Sequence, residues 1–473
     1  MIKFGTDGWR AVISEEFTFD NVRKVAQAVA DYFNSILHPP ASSLQPKMVV
    51  GYDTRFLSDK YAQAIAEVLT ANGIKVLLNN RPSPTPMVCF TIKEKKLSGG
   101  LIVTASHNPP QYNGIKIKMD YAGPAELEVT GAIESLIDKN EVKRMTIEDA
   151  QKNNLLELID PSRQYIRFLR TYLDIKLFNR KQFNLLVDVM YGTGNSFIPQ
   201  ILKNTKCKVT LLHNEHNPGF AGINPEPIPQ NMKEAVSVMK TGKFDLGIVN
   251  DGDADRVACI RPDGEIINAG QVLSLIILHF LEDKKWQGAI IKTISNTTLL
   301  EKIALKYNLK LFETAVGFKY ISKLIREEDI LAGGEESGGI GVKNYLPERD
   351  GMLAGLLILE MMAYRKKSVI QIIQGIDKEF GEFHYVRQDL HYPEESKKSL
   401  FITLKEKPFD SLFNKRVVQV KDFDGIKFIC ADDSWLLFRL SGTEPILRVY
   451  AEAPSRKRAE GLLKFGKEFA LNL

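Results

Sequence analysis

Cysteine is scarce. The four thiols, Cys89, Cys207, Cys259 and Cys430, lie far apart with no Cys-x-x-Cys pair. That excludes a disulfide scaffold and predicts buried apolar cysteines in a reducing compartment. Long apolar runs are missing too. The longest, residues 272–281, is interrupted by Ser274 and His279 and reaches only about half of the ~20 residues a membrane helix needs. The opening Met-Ile-Lys-Phe-Gly-Thr-Asp holds no apolar signal core, so a cytoplasmic protein without membrane contact is expected. Charge of one sign is not concentrated. The 63 Lys and Arg against 58 Asp and Glu leave a net charge of +5, too weak for nucleic-acid binding but compatible with an anion-binding cleft.

Several catalytic signatures are also absent. No G-x-x-x-x-G-K-[ST] and no H-E-x-x-H occurs, which removes P-loop kinases and zincin proteases. Gly192-Thr-Gly194 follows a strand-like run, but Phe197 stands where a dinucleotide fingerprint needs its third glycine, so a Rossmann reading is weak. His213 and His216 have metal-like spacing in a polar loop without an obvious third ligand and are read as structural. No stretch is low in complexity.

What remains is an ordinary globular composition, 44% hydrophobic and 26% charged over 473 residues. That length suggests roughly three or four domains. One pattern recurs. Residues 48–52 read as a strand, 53–58 as a polar loop, 60–70 as an amphipathic helix and 74–78 as a second strand. The same order returns at 185–189, 191–195, 197–202 and 208–212, and again at 289–292, 293–296, 298–307 and 309–313. Each fits the length of a βαβ unit, and the spacing argues for three α/β domains built alike. The last hundred residues differ: 417–420, 425–430, 435–440 and 446–453 read as antiparallel strands and 456–469 as a closing helix. The expected division is 1–158, 159–260, 261–370 and 371–473. The second cut is approximate, because Arg-Pro-Asp-Gly at 261–264 reads as a hairpin turn.

Four stretches carry chemistry. At 101–110, Leu-Ile-Val-Thr-Ala-Ser-His-Asn-Pro-Pro is a short buried strand stopped by prolines, leaving Ser106 beside His107 at a rigid tip. Such pairs are most often plain turn residues, but a hydroxyl next to an imidazole is also a candidate nucleophile. At 251–256, Asp-Gly-Asp-Ala-Asp-Arg follows an apolar strand. Three carboxylates that close repel one another unless a hard divalent cation neutralises them. A calcium loop fails, since Arg256 stands where its glycine belongs and Pro262 where its glutamate belongs. Mg²⁺ with open positions fits better, with Arg256 beside it for phosphate. At 333–339, Gly-Gly-Glu-Glu-Ser-Gly-Gly offers carboxylates and a hydroxyl on glycine backbone, suited to vicinal sugar hydroxyls, and Arg349 nearby begins a helix where an anion would bind. At 439–445, Arg-Leu-Ser-Gly-Thr-Glu-Pro supplies a guanidinium, two hydroxyls and free backbone N–H groups, a phosphate nest.

Together and in this order, one per domain, the four stretches resemble the α-D-phosphohexomutase superfamily of phosphoglucomutases and phosphomannomutases. The resemblance implies three similar α/β domains with mixed sheets and a smaller C-terminal α+β domain around a central cleft. It implies a phosphorylated Ser106 as phosphoryl donor and acceptor, with Mg²⁺ held by Asp251, Asp253, Asp255 and a Ser106 phosphate oxygen. Arg10, His107, Lys116 and Arg256 would surround the transferring phosphate, His107 and Lys116 as proton-transfer partners. Glu335 and Ser337 would grip the sugar's 3- and 4-hydroxyls. Arg439, Ser441, Gly442 and Thr443 would hold the non-reacting phosphate, aided by Lys292, Lys319 or Arg349.

The implied partners are small sugar phosphates, with glucose 1,6-bisphosphate as activator and a monomer or homodimer as the assembly. Three departures stand out: Ala254 for a common glycine, Leu440 for a frequent proline, and Gly339 where the bacterial phosphomannomutase-type loop has histidine. The first two are expected to be mild. The Glu335-Glu336-Ser337 run is similar to the glucose-preferring loop. Glucose 1,6-bisphosphate synthase and phosphoglucosamine mutase are the near alternatives, and a non-catalytic sugar-phosphate sensor is the reading from another class. A serine hydrolase is weaker, because no G-x-S-x-G elbow surrounds Ser106.

Overall fold

The computed structural model describes residues 2–5, 7–37, 45–440 and 446–472. Four sheets follow one another along the chain. The first has the order Trp9–Val12, Tyr112–Met119, Gly99–Val103, Lys47–Tyr52, Lys75–Asn79, Leu156–Ile159. Its last four strands are parallel, and the first two run antiparallel along one edge. The second sheet is Ile266–Ile267, Val257–Ile260, Leu246–Asn250, Asn184–Asp188, Lys208–Leu212. The third is Leu311–Thr314, Ala289–Thr293, Ile330–Gly334, Ile340–Val342. Each of these three mixes parallel with antiparallel pairs, as helices on both faces and a hairpin at one edge require.

The fourth sheet is antiparallel throughout: His384–His391, Ile446–Ala453, Trp435–Leu440, Ile426–Cys430, Lys415–Lys421, Ser411–Leu412. Helix Arg456–Leu471 packs on it through Ala459, Leu462 and Ala470. One detail differs from expectation. The strand His384–His391 carries little alternation and is half-exposed at the sheet edge, so its residues gave no strand signal. The turn at 261–264 lies inside a hairpin of the second sheet, because Cys259 pairs with Ile267 and Ile260 with Ile266.

One apolar core runs through the first three units, from Val88 and Ile92 through Tyr165 and Leu246 to Ile276 and Leu357. The fourth unit has its own core around Leu400, Phe428, Val449 and Leu462. Trp435 and Tyr450 join it to Ile294 of the third. Among the described residues no helix is long and apolar enough to cross a membrane.

The strand orders position the chemistry. In each of the first three sheets a central strand sends its chain to one neighbour, and the next parallel strand lies on its other side. The crevice at such a reversal is where ligands bind in open α/β sheets. There the loop after Lys47–Tyr52 meets the loop after Gly99–Val103. The loop after Asn184–Asp188 meets 251–256, and the loop after Ala289–Thr293 meets 335–339.

His213 helps to hold the second of these crevices. It follows Lys208–Leu212, with Nδ1 2.9 Å from Asp188 Oδ1 and Nε2 3.1 Å from Glu234 Oε2. Its ring lies 4.8 Å from that of Tyr191, and its carbonyl accepts from the Tyr191 N–H. Burial opposes its charge, but the Asp188 hydrogen bond and carboxylate, then Glu234, push the imidazole up to about 9. The folded value exceeds the ordinary ~6.5, so the stabilisation is complete below about pH 6.5 and is lost as pH rises through about 9. His213→Gln should therefore cost about 2 kcal/mol near pH 6, an amount discounted for the exposure of Glu234. In denaturant unfolding the gap to the parent should narrow on going to pH 10; a gap that does not change with pH would contradict this assignment.

Candidate active site

The strand Gly99–Val103 is buried along its whole length. At its end Thr104 turns the chain, its Oγ1 accepting from the Ser106 N–H at 2.8 Å. Ser106 then takes a left-handed φ of +52°, a conformation costing about 1–2 kcal/mol for a residue other than glycine. The strained turn aims its hydroxyl across to the second unit, where Ser106 Oγ donates to Asp251 Oδ2 at 2.8 Å. His107 Nδ1 lies 3.4 Å from the same hydroxyl. Burial, then the positive charges of Arg256, Arg10 and Lys116, hold the imidazole well below its usual value, so His107 is neutral at pH 7 and available as an acceptor. Arg10, on the edge strand Trp9–Val12, donates to Asn108 Oδ1 at 2.7 Å.

Residues 251–256 leave the end of Leu246–Asn250, and Asp251, Asp253 and Asp255 are fully buried. Each offers one oxygen within 4.8 Å of the others. Burial and its two neighbours push the Asp251 carboxyl well up. Asp253 Oδ1 and Asp255 Oδ1 have no hydrogen-bond partner among the described residues. Buried carboxylate oxygens left in that state call for a hard cation, and three oxygens with room for more suit Mg²⁺. Ala254 sits between them at φ +57°. The departure from glycine therefore leaves the ligands alone but has a backbone cost of about 1 kcal/mol.

Basic side chains from two other units balance this charge. Lys116 Nζ, buried in strand Tyr112–Met119, lies 2.7 Å from both Asp253 Oδ2 and Asp255 Oδ2 and 3.3 Å from Asp7 Oδ2. Burial disfavours its charge, but these three carboxylates outweigh it and hold the ammonium protonated far above neutral pH. Arg349 lies 2.8 Å from Asp255 Oδ2, 3.6 Å from Glu335 Oε2 and 3.3 Å from Glu348 Oε1, and also donates to Asp7. Arg256 lies 3.7 Å from Glu226, while its backbone N–H donates to Asp251 Oδ1 at 3.0 Å. The sugar-type loop is laid directly on this segment: Val257 N–H donates to Gly338 O at 3.1 Å, and Arg256 pairs with Gly339.

Within that loop the two glutamates part. Glu335 is buried against Arg349. Glu336 turns away, accepting from Ser295 Oγ at 2.7 Å, Thr293 Oγ1 at 3.2 Å and Tyr450 O–H at 3.3 Å. Ser337, next in the loop, is half-buried. Lys319, early in helix Phe318–Glu327, lies within electrostatic reach of Asp7. Lys292 is placed otherwise: it is fully buried, 3.0 Å from Glu301 and 3.7 Å from Glu313, and so is already neutralised. Arg439 Nε donates to Asp424 Oδ2 at 2.9 Å at the mouth of its loop. Ser441, Gly442 and Thr443 lie outside the described residues.

Several participants escaped the sequence reading. Thr85 grips the acid loop twice, through its N–H to Asp253 O at 3.0 Å and its hydroxyl to Asp253 Oδ2. Lys118 lies 2.5 Å from Glu348 Oε2 and 3.3 Å from Asp7. A signal for Lys118 existed, because Lys116 and Lys118 alternate with Ile115, Ile117 and Met119 and so share one face of a strand. Asp7 and Glu348 had none, since each stands among turn residues.

Comparison with known proteins extends along the chain. Models of the phosphoglucomutase/phosphomannomutase family match in sequence order: alpha/beta/alpha domain I at residues 1–144, domain II at 163–264, domain III at 268–380 and the C-terminal domain at 403–465. A phosphoglucomutase/phosphomannomutase of Thermococcus kodakarensis is 29% identical, covering 98% of this chain and 97% of its own. A phosphoglucosamine/phosphogalactosamine mutase of Sulfurisphaera tokodaii is also 29% identical, covering 97% of each. A Thermus thermophilus crystal structure, provisionally named a phosphomannomutase, is 32% identical with a TM-score of 0.87 over 99% of each chain.

Gly339 offers a direct test of this arrangement. A Cβ at that position would collide with Cδ of Arg349, expelling a side chain that touches Asp255, Asp7 and Glu335 together. Gly339→Ala should lower unfolding stability by about 1–3 kcal/mol, the usual cost of overpacking a filled site. Unchanged stability would show that Arg349 is free to move aside.

Proposed function

Since the chain belongs to the phosphoglucomutase/phosphomannomutase family and is a phosphotransferase isomerase, we propose that it interconverts glucose 1-phosphate and glucose 6-phosphate through a phosphorylated Ser106 and glucose 1,6-bisphosphate. The observation that carries this reading is the 2.8 Å contact between Ser106 Oγ and Asp251 Oδ2. It supports a nucleophile seated on a cation site contributed by a different unit of the fold.

Phosphoserine Ser106 passes its phosphoryl group to the sugar's free hydroxyl, so that the Ser106 O–P bond breaks as the sugar O–P bond forms. The hydroxyl proton goes to neutral His107, which returns it to the departing Ser106 Oγ, 3.4 Å from its Nδ1. Mg²⁺ held by Asp251, Asp253, Asp255 and a Ser106 phosphate oxygen would supply charge neutralisation at the transferring group. Arg10, Lys116 and Arg256 surround that group with fixed positive charge, which stabilises charge without reorganisation. Glu335 and Ser337 hold the sugar hydroxyls. Arg439 with Ser441, Gly442 and Thr443 holds the second phosphate, assisted by Arg349 and Lys319. Lys292, paired with Glu301 and donating to Thr297 O at 3.4 Å, serves the 293–298 loop rather than the substrate. The bisphosphate then turns over and returns its other phosphate to Ser106. The Glu335-Glu336-Ser337 run and Gly339 support glucose as the preferred hexose.

Purified protein with Mg²⁺ and a trace of glucose 1,6-bisphosphate should interconvert the glucose phosphates faster than those of mannose or glucosamine. Ser106→Ala should lose activity by roughly 1,000-fold or more. A faster rate with glucosamine phosphates would reassign the substrate. Accumulation of glucose 1,6-bisphosphate from fructose 1,6-bisphosphate would make the protein a bisphosphate synthase. Turnover of none of the three sugar phosphates, or full activity without Ser106, would overturn the mutase reading.

A further inference from the structure

Arg55 is buried completely in the loop that follows Lys47–Tyr52, and the strand order sets this loop beside the tip that carries Ser106. Its guanidinium donates four hydrogen bonds into that tip. Nη2 donates to Ser106 O at 2.8 Å and Asn108 O at 2.6 Å, and Nη1 to Pro109 O at 2.8 Å and Tyr112 O at 3.1 Å. A planar fork with fixed donor directions can meet four carbonyls at once; an ammonium cannot.

The fork is itself held. Arg55 Nε lies 3.2 Å from Asp53 Oδ2, and Asp53 Oδ1 accepts from the Arg55 N–H at 3.0 Å and from Ser58 Oγ at 2.7 Å. The ring of Phe220, from the second unit, backs the guanidinium at 4.9 Å. On its other side the Ser106 carbonyl faces Gly252, where a Cβ would come within 2.6 Å of that oxygen. The carbonyl is therefore fixed between Arg55 and the acid loop. That fixes the left-handed backbone of Ser106, and with it the direction of Oγ.

We propose that Arg55 is a positioning residue for phosphoryl transfer. It holds residues 106–112 in the strained turn that keeps Ser106 Oγ at the acid triad, without touching substrate. The inference rests on the Ser106 mutase reading. A displacement of about 1 Å at a reacting atom costs on the order of 100-fold in rate, so loss of the fork should act on transfer and leave substrate binding alone.

The test compares the parent, Arg55→Lys and Phe220→Leu in single-turnover transfer from phosphorylated enzyme to glucose 1-phosphate, with each rate normalised to Mg²⁺-binding sites. Arg55→Lys should transfer on the order of 100-fold more slowly with KM within about threefold of the parent. Phe220→Leu, which loosens the fork but leaves its hydrogen bonds, should slow transfer by roughly 5–10-fold at unchanged KM. A purely structural role would instead lower the number of Mg²⁺ sites and leave the rate per site intact. Parental transfer rates per site in either folded variant would overturn the inference, and if Arg55→Lys does not fold, Phe220→Leu decides alone. A parent that neither carries nor transfers phosphate would instead be a failure of the mutase reading.

Discussion

Ser106 meets the acid loop at two points: its hydroxyl reaches Asp251 and its carbonyl faces Gly252. The two loops come from different sheets, so this junction exists only because the first two units are locked by a shared apolar core. The junction is expensive. It combines a left-handed serine, a left-handed alanine and three buried carboxylates, two of them, Asp253 and Asp255, with an oxygen that has no hydrogen-bond partner among the described residues. Structures retain such strain where geometry at a site demands it.

Electrostatics explains how the surrounding web is arranged. Three aspartates without cations could not be buried: Lys116 of the first unit pairs directly with Asp253 and Asp255 and also with Asp7, and Arg349 of the third pairs directly with Asp255 and also with Glu335 and Glu348. Each cation serves several anions, so no unit can leave without exposing an unpaired buried charge, at a cost of about 3–5 kcal/mol. The web also ties the sugar-type loop to the acid loop through Arg349, while Glu336 ties the same loop to Tyr450 of the fourth unit. Neighbouring glutamates thus face opposite directions, one toward Arg349 and one toward the C-terminal sheet.

Much of this was legible from pattern. The three polar loops that open each repeated unit were visible as interruptions between strand and helix. They brace the functional loops at each reversal of strand order: Arg55 beneath Ser106, Thr193 on Gly252 O at 3.0 Å, and Ser295 on Glu336. The bracing itself was not legible, because it depends on which strands are neighbours, and Asp-Thr-Arg reads equally well as a solvated turn. The surroundings of Lys292 were not legible for a related reason: its partner Glu301 lies in the following helix, and no pattern in the sequence pairs the two. Glu335 and Glu336 lie in a loop, where no alternation rule assigns them to faces.

The proposed catalysis depends on a phosphoserine at residue 106 whose transfer requires a cation at the aspartate trio. Peptide mass mapping of protein isolated from cells, before and after mixing with glucose 1-phosphate, measures both at once. The Ser106 peptide should carry an addition of about 80 Da, lost within seconds when Mg²⁺ is present and retained when a chelator has removed it. No such addition after charging with glucose 1,6-bisphosphate, or equal loss with and without the metal, would contradict it.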